Sequence, residues 1–161
     1  DQTMVKSCYE LADKWQALVA ASSVSSTDST FKPQASDIDG WVSNQSVVFL
    51  ERLQSFASTF SPENVHTLGA TYGYDKTQNI EVLSRYLNIG LMAKAKETYA
   101  PAAELLGKIG RMKFVRPMFR LLNAADRELA VKTFETNRDF YHPICRQMVE
   151  KDLFGEEGKE A

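Results

Sequence analysis

Five cations between residues 108 and 120 form the part of this sequence best suited to chemistry on a charged ligand. The chain as a whole has a net charge of -2, and no acidic residue lies between Glu104 and Asp126. Because arginine binds carboxylates and phosphates through two parallel hydrogen bonds, this local excess of positive charge favours an anion-binding site. The cluster consists of Lys108, Arg111, Lys113, Arg116 and Arg120.

The spacing within the cluster favours Arg111 and Lys113 as the two residues that act together. Gly110 allows a turn that points the charges outward. Pro117 favours a helix that begins close to it, because proline disfavours helical backbone at Arg116. A non-helical segment after Gly110 would then send both side chains to one side. The alternatives are an earlier helix start, with Arg111 pointing elsewhere, or a basic helix face that only meets solvent.

The remaining chemistry-bearing residues do not form a recognisable active site. The two histidines, His66 and His142, lie far apart and outside any H-E-x-x-H pattern, which argues against a metal site within the chain. Cys145 follows His142 by three residues, and a buried structural thiol is favoured there over a Cys/His catalytic pair. The sequence has no phosphate loop, dinucleotide fingerprint or G-x-S-x-G motif.

Length and composition indicate one globular domain spanning residues 1–161. The pI near 5.7 argues against nucleic-acid binding, and no apolar run reaches the roughly 20 residues of a membrane span. The distant Cys8 and Cys145 indicate buried thiols in a reducing compartment such as the cytoplasm, and a single disulfide is the alternative. Asp1 opens directly into a helical pattern, which suggests a piece of a longer protein.

Apolar residues recur at helical spacing along most of the chain, so helices are expected to position the cluster. No segment shows the alternation of apolar and polar residues that is typical of a β-strand. The pattern predicts a first helix over residues 3–21, a flexible Ser/Thr-rich loop at 22–36 and a polar tail at 155–161. Further helix starts are expected at Ser43, Ser61–Pro62, Thr77 or Asn79, near Lys96, and at His142–Pro143. The last helix is expected to bury Ile144, Met148 and Leu153.

These segments add up to about eight helices joined by short connections, which favour antiparallel neighbours. A weak internal repeat is consistent with stacked helix pairs. Its members are Phe49-Leu-Glu-Arg-Leu, Val82-Leu-Ser-Arg-Tyr-Leu and Met118-Phe-Arg-Leu-Leu. The predicted fold is therefore all-α, an α-solenoid with an armadillo/HEAT-like, two-layer superhelix.

The octapeptide Gly-Arg-Met-Lys-Phe-Val-Arg-Pro at residues 110–117, followed by Met118-Phe119, resembles a signature of one known family. That family is the C-terminal helical domain of the leukotriene A(4) hydrolase and zinc aminopeptidases. Further segments are similar to it across most of the chain. They are Cys8–Trp15, Trp41–Phe56, Asn79–Leu87, Phe140–Pro143 and Val149–Leu153.

The resemblance implies an α-solenoid domain that forms one wall of a substrate cleft. It implies that Arg111 and Lys113 hold the free carboxylate of a short peptide or fatty-acid epoxide. Lys108, Arg116 and Arg120 are then a secondary basic surface. The resemblance places the zinc and the catalytic base in a peptidase domain of the same parent chain, so the present chain alone is expected to hold no cofactor and to be inactive.

A free-standing helical-repeat adaptor, binding an acidic peptide through residues 108–120, is the alternative function. The parent reading frame separates the two hypotheses. An H-E-x-x-H motif upstream of Asp1 favours the peptidase, and a start codon near Asp1 favours the adaptor.

Overall fold

The computed structural model describes the backbone of residues 2–23 and 31–155 and the side chains of residues 4–21 and 31–155. This part of the chain holds eight α-helices and no β-strand, so the prediction of an all-α protein is confirmed. The helices are α1 (Gln2–Ser23), α2 (Ser43–Gln54), α3 (Pro62–Tyr72), α4 (Ile80–Met92), α5 (Tyr99–Leu106), α6 (Met112–Ala125), α7 (Arg127–Asn137) and α8 (Pro143–Phe154).

Five short 3-10 turns accompany the α-helices in the described ranges, at Ala35–Ile38, Ala57–Thr59, Tyr74–Lys76, Lys96–Thr98 and Arg138–Phe140. None of the described helices combines the length and the apolar character that crossing a membrane requires.

Polar caps fix several helix starts where the sequence predicts them. The hydroxyl of Ser61 accepts a hydrogen bond from the Asn64 amide at 3.1 Å, with Pro62 at the first helical position of α3. The side-chain oxygen of Asn79 accepts from the Glu81 amide at 3.0 Å at the start of α4. Nδ1 of His142 accepts from the Ile144 amide at 3.2 Å, which starts α8. These predicted starts are confirmed.

The borders of the predicted loop and tail differ from the structure. Ser22 and Ser23 belong to α1, and the 3-10 turn Ala35–Ile38 overlaps the end of the predicted 22–36 loop. Residues 24–30 lie outside the described residues. At the other end α8 stops before Gly155, and residues 156–161 of the predicted tail also lie outside the described part.

The chain divides into two compact units, Asp1–Lys96 and Glu97–Ala161, where the sequence predicts a single domain. In the first unit α2 packs against both α1 and α4. Trp15 is fully buried, stacks on Phe60 with ring centroids 6.1 Å apart, and donates to the hydroxyl of Tyr72 at 3.0 Å. Tyr72 donates in turn to the Asp37 carboxylate at 2.7 Å, so the polar edges of this aromatic core are satisfied.

The second unit is built around α6, which packs against α5, α7 and α8. Phe119 of α6 meets the rings of Phe134 and Tyr141 edge-on, each with centroids 5.9 Å apart. The buried hydroxyl of Tyr141 donates to the carbonyl of Leu106, the last residue of α5. That bond satisfies a carbonyl that the end of a helix would otherwise leave without a donor.

The buried face of α8 differs from the predicted one. Leu153 is buried as expected, but Ile144 and Met148 are exposed, and Cys145 and Val149 take their place. Adjacent helical positions differ by about 100° in direction, so stripes that begin at 144 or 145 are equally periodic in sequence. Packing against α6 selects the second stripe.

Candidate functional site

Arg111 occupies the N-cap of α6, with extended backbone angles of φ -73° and ψ 121°. Its carbonyl accepts hydrogen bonds from the amides of Phe114 and Val115, both at 3.0 Å. Among the described residues no hydrogen bond or ion pair engages its exposed guanidinium. The backbone of Arg111 is therefore held by the helix, while its side chain reaches toward solvent.

Lys113, the second residue of α6, lies beside the same aromatic ring as Arg111. The ring centroid of Phe114 is 5.5 Å from Cζ of Arg111 and 5.1 Å from Nζ of Lys113. The negative face of an aromatic ring attracts a cation by about 0.5–1 kcal/mol at an exposed site, which partly offsets the repulsion between two like charges. Phe114 itself is buried, so the ring is a fixed support for both residues, here called the cation pair.

The helix around the cation pair begins earlier than Pro117 predicts, so the expected non-helical backbone at Arg116 is wrong. Pro117 lies inside α6, which starts at Met112. The proline removes one helical hydrogen bond. The helix persists because five of its side chains are buried against the neighbouring helices. They are Phe114, Val115, Met118, Phe119 and Leu122.

Gly110 does not supply the turn expected of it. Its φ is not among the positive values in this chain, and a methyl group added to it would meet only Phe140, with its Cε2 at 4.0 Å. The outward direction of Arg111 therefore comes from its N-cap position.

Arg116 and Arg120 bind a carboxylate from another helix. Nε of Arg116 donates to one oxygen of Asp152 at 2.7 Å, and Nη2 donates to the other at 3.2 Å. Arg120 lies 3.1 Å from each of the same two oxygens. The two guanidinium groups surround the side chain of Asp152, which is only 10% exposed. This arrangement, here called the Asp152 clamp, ties α6 to α8.

The clamp shifts the protonation of its members toward the charged forms. Burial by itself would raise the pKa of Asp152, but hydrogen bonds from Arg116 and Arg120, together with their charges, lower the pKa below its usual value. The hydrogen bond to Asp152 raises the pKa of Arg116. The carboxylate stays ionised, and the positive charges of the two arginines are directed toward it.

Lys108 pairs with Glu104 one turn before it on the same stretch of chain, at 2.9 Å and with both side chains exposed. Lys108, Arg116 and Arg120, the predicted secondary basic surface, are therefore bound to carboxylates of this chain. Sequence reasoning missed Asp152 and the supporting ring of Phe114. The position of Phe114 directly after Lys113 and three residues after Arg111 was the available signal for the ring, whereas nothing local marks Asp152.

The described residues contain no group of three or more potential metal ligands. Cys8 and Cys145 are buried, unbridged thiols, and burial raises the pKa of both. A neutral thiol under 5% exposed is a poor nucleophile, so the interpretation of Cys145 as a structural residue beside the helix cap His142 agrees with its surroundings.

The family model described as "Leukotriene A4 hydrolase, C-terminal" matches residues 41–153. "Leucine aminopeptidase 2" of Phaeosphaeria nodorum is 74% identical over 159 residues, which cover 99% of this chain and 25% of that protein. "Leukotriene A-4 hydrolase homolog" of Botryotinia fuckeliana is 48% identical over 153 residues, covering 95% of this chain and 22% of that protein.

A solved structure of yeast LTA4 hydrolase in complex with bestatin superposes with a TM-score of 0.82 at 35% identity, covering 96% of this chain and 26% of that one. The native yeast enzyme gives a TM-score of 0.80 at 37% identity, covering 94% of this chain and 26% of that one. The chain therefore spans about a quarter of the length of the relatives it matches.

Proposed function

This chain belongs to the family of leukotriene A4 hydrolase C-terminal domains, and from that premise we propose that it forms one wall of the substrate cleft of a longer aminopeptidase. Its role in that enzyme is to anchor the free carboxylate of the substrate, which is the C-terminus of a short peptide or the acid group of a fatty-acid epoxide. The residues that bind this carboxylate are Arg111 and Lys113.

The single observation that carries this role is the placement of the two cations over one buried ring at the start of a helix. A carboxylate held there meets a guanidinium, an ammonium and the positive end of the α6 dipole. Arg116 and Arg120 bind the carboxylate of Asp152, and Lys108 pairs with Glu104. The secondary basic surface therefore serves the stability of the domain more than the substrate.

The described residues do not offer a ligand set for zinc, so a zinc ion and the catalytic base would come from another part of the enzyme. No chemical step is assigned to this chain. Its proposed work is to bind and orient the substrate, with the catalytic peptidase domain as its partner in a cytoplasmic enzyme, and the chain by itself is inactive.

The test is the specificity constant, kcat/KM, of the full-length protein for peptides that carry a carboxylate or an amide at the same end. Each charged hydrogen bond contributes about 1.5–3 kcal/mol, so Arg111→Ala should lower kcat/KM for the acids about ten- to a hundredfold. The amides should lose much less. Arg111→Lys should recover only part of the loss, because lysine lacks the two-pronged hydrogen-bonding geometry.

Arg120→Ala is the matched control, since it removes a guanidinium from the same helix. It should leave the ratio of acid to amide activity close to that of the wild type. Equal losses on acids and amides in Arg111→Ala would show a structural role and would refute the carboxylate anchor.

A further inference from the structure

Phe140 presents an exposed ring next to the backbone that leads into the cation pair. Its side chain is 52% exposed, whereas most large apolar residues of the described chain are buried. A methyl group placed on Gly110 would contact Cε2 of this ring at 4.0 Å. Because Gly110 directly precedes Arg111, the ring borders the start of α6 even though it lies some 30 residues further along the chain.

The position of Phe140 is fixed by the groups on either side of it. It ends the 3-10 turn Arg138–Phe140, in which Arg138 forms an ion pair with Glu150 of α8. The following residue, Tyr141, is 1% exposed and bonded to the carbonyl of Leu106. An exposed ring on a backbone held at both sides is a preformed apolar surface that loses little conformational freedom when a ligand covers it.

Met112 is a second exposed apolar side chain at the start of α6. It stands between Arg111 and Lys113 in sequence, at the first position of α6, and is 39% exposed. The start of α6 therefore carries two cations and an exposed apolar side chain, and the exposed ring of Phe140 borders the glycine that precedes them. A ligand that matches this surface carries a negative charge and an apolar group a few bonds apart.

We propose that Phe140 and Met112 form a subsite for the apolar side chain of the peptide residue whose α-carboxylate the cation pair binds. The inference rests on the proposed function and adds a preference to it: among peptide acids, those that end in a large apolar residue are favoured over those that end in glycine.

The experiment measures kcat/KM of the full-length protein for Leu-Gly-Leu and Leu-Gly-Gly, each as the free acid and as the amide. Covering a half-exposed ring with a leucine side chain corresponds to about a three- to tenfold preference for the first acid. Phe140→Ala should remove most of this preference, and Phe140→Leu should keep most of it. Ile144→Ala is the matched control, because Ile144 is 55% exposed and lies four residues away.

The outcomes separate this inference from the carboxylate anchor. If Phe140→Ala lowers both acids by the same factor, or if Ile144→Ala removes the preference equally well, the subsite is refuted while the anchor stands. If Arg111→Ala fails to separate acids from amides, the anchor itself is refuted, and the subsite falls with it. Loss of the preference in Phe140→Ala alone supports the subsite.

Discussion

The start of α6 and its middle carry two cations each and use them differently. At the start, Arg111 at the N-cap and Lys113 in the first turn lie over the ring of Phe114, and both side chains are exposed. In the middle of the helix, Arg116 and Arg120 surround the carboxylate of Asp152. A cluster of cations in a sequence therefore does not equal a binding site of the same size, because a counter-charge distant in sequence can occupy part of it.

Because the Asp152 clamp links two helices and the cation pair does not, we expect mutations in the clamp to lower stability and mutations in the cation pair to lower substrate binding. Asp152→Ala leaves two guanidinium groups facing a site without a carboxylate and removes the link from α6 to α8. Because the arginines are partly exposed, we expect a loss of about 1–2 kcal/mol in the free energy of unfolding, at the lower end for charged hydrogen bonds. Urea titration of the full-length protein measures it.

Arg111→Ala is the comparison variant for that measurement, since it should change the same free energy by less than about 0.5 kcal/mol. If Arg111→Ala destabilised the protein as much as Asp152→Ala does, the distinction between a binding role for the cation pair and a structural role for the Asp152 clamp would be wrong.

The ring of Phe114 allows a sharper test of how the cation pair is positioned. Phe114→Leu keeps an apolar side chain in the core but removes the aromatic face under both cations, so the cation pair should be less well positioned. A loss of about 1 kcal/mol corresponds to an approximately fivefold fall in kcat/KM for peptide acids, with little change for the amides. Phe114→Tyr retains the aromatic face, and it should restore the preference for acids. A Tyr variant no better than the Leu variant would contradict the role of the ring.

The smallest expected effect is the pH dependence of the clamp. The pKa of Asp152 is lowered in the folded state, so its contribution is complete above the pKa of the unfolded chain and is lost as pH falls through the folded value. The difference in unfolding free energy between wild type and Asp152→Asn should therefore be constant from about pH 5 upward and should shrink below about pH 4. A difference that shrinks between pH 6 and 8 instead would assign the effect to another group.

Local signals made much of the fold predictable from the sequence. The starts of α3, α4 and α8 depend on Ser61, Asn79 and His142, each of which caps amides two or three residues ahead. Such interactions involve only neighbouring residues, so their pattern is visible in the sequence.

The features that could not be predicted depend on contacts between distant segments. Pro117 is helical because buried neighbours on α6 outweigh its local preference, and Ile144 is exposed because packing selects the adjacent stripe of α8. For the candidate site, the sequence indicated the cluster, but only the fold shows that Asp152, 36 residues after Arg116, binds two of its five cations.

The distance in sequence between the clamp and its arginines has a consequence for synthesis of the protein. The ribosome makes the chain from its N-terminus, so Arg116 and Arg120 are made 36 and 32 residues before Asp152. Until α8 has emerged, the nascent chain carries α6 with its positive charges still lacking that carboxylate. The second unit can therefore reach its final charge balance only after Asp152 has been made, and until then anionic surfaces near the ribosome meet a more basic segment than the folded protein presents.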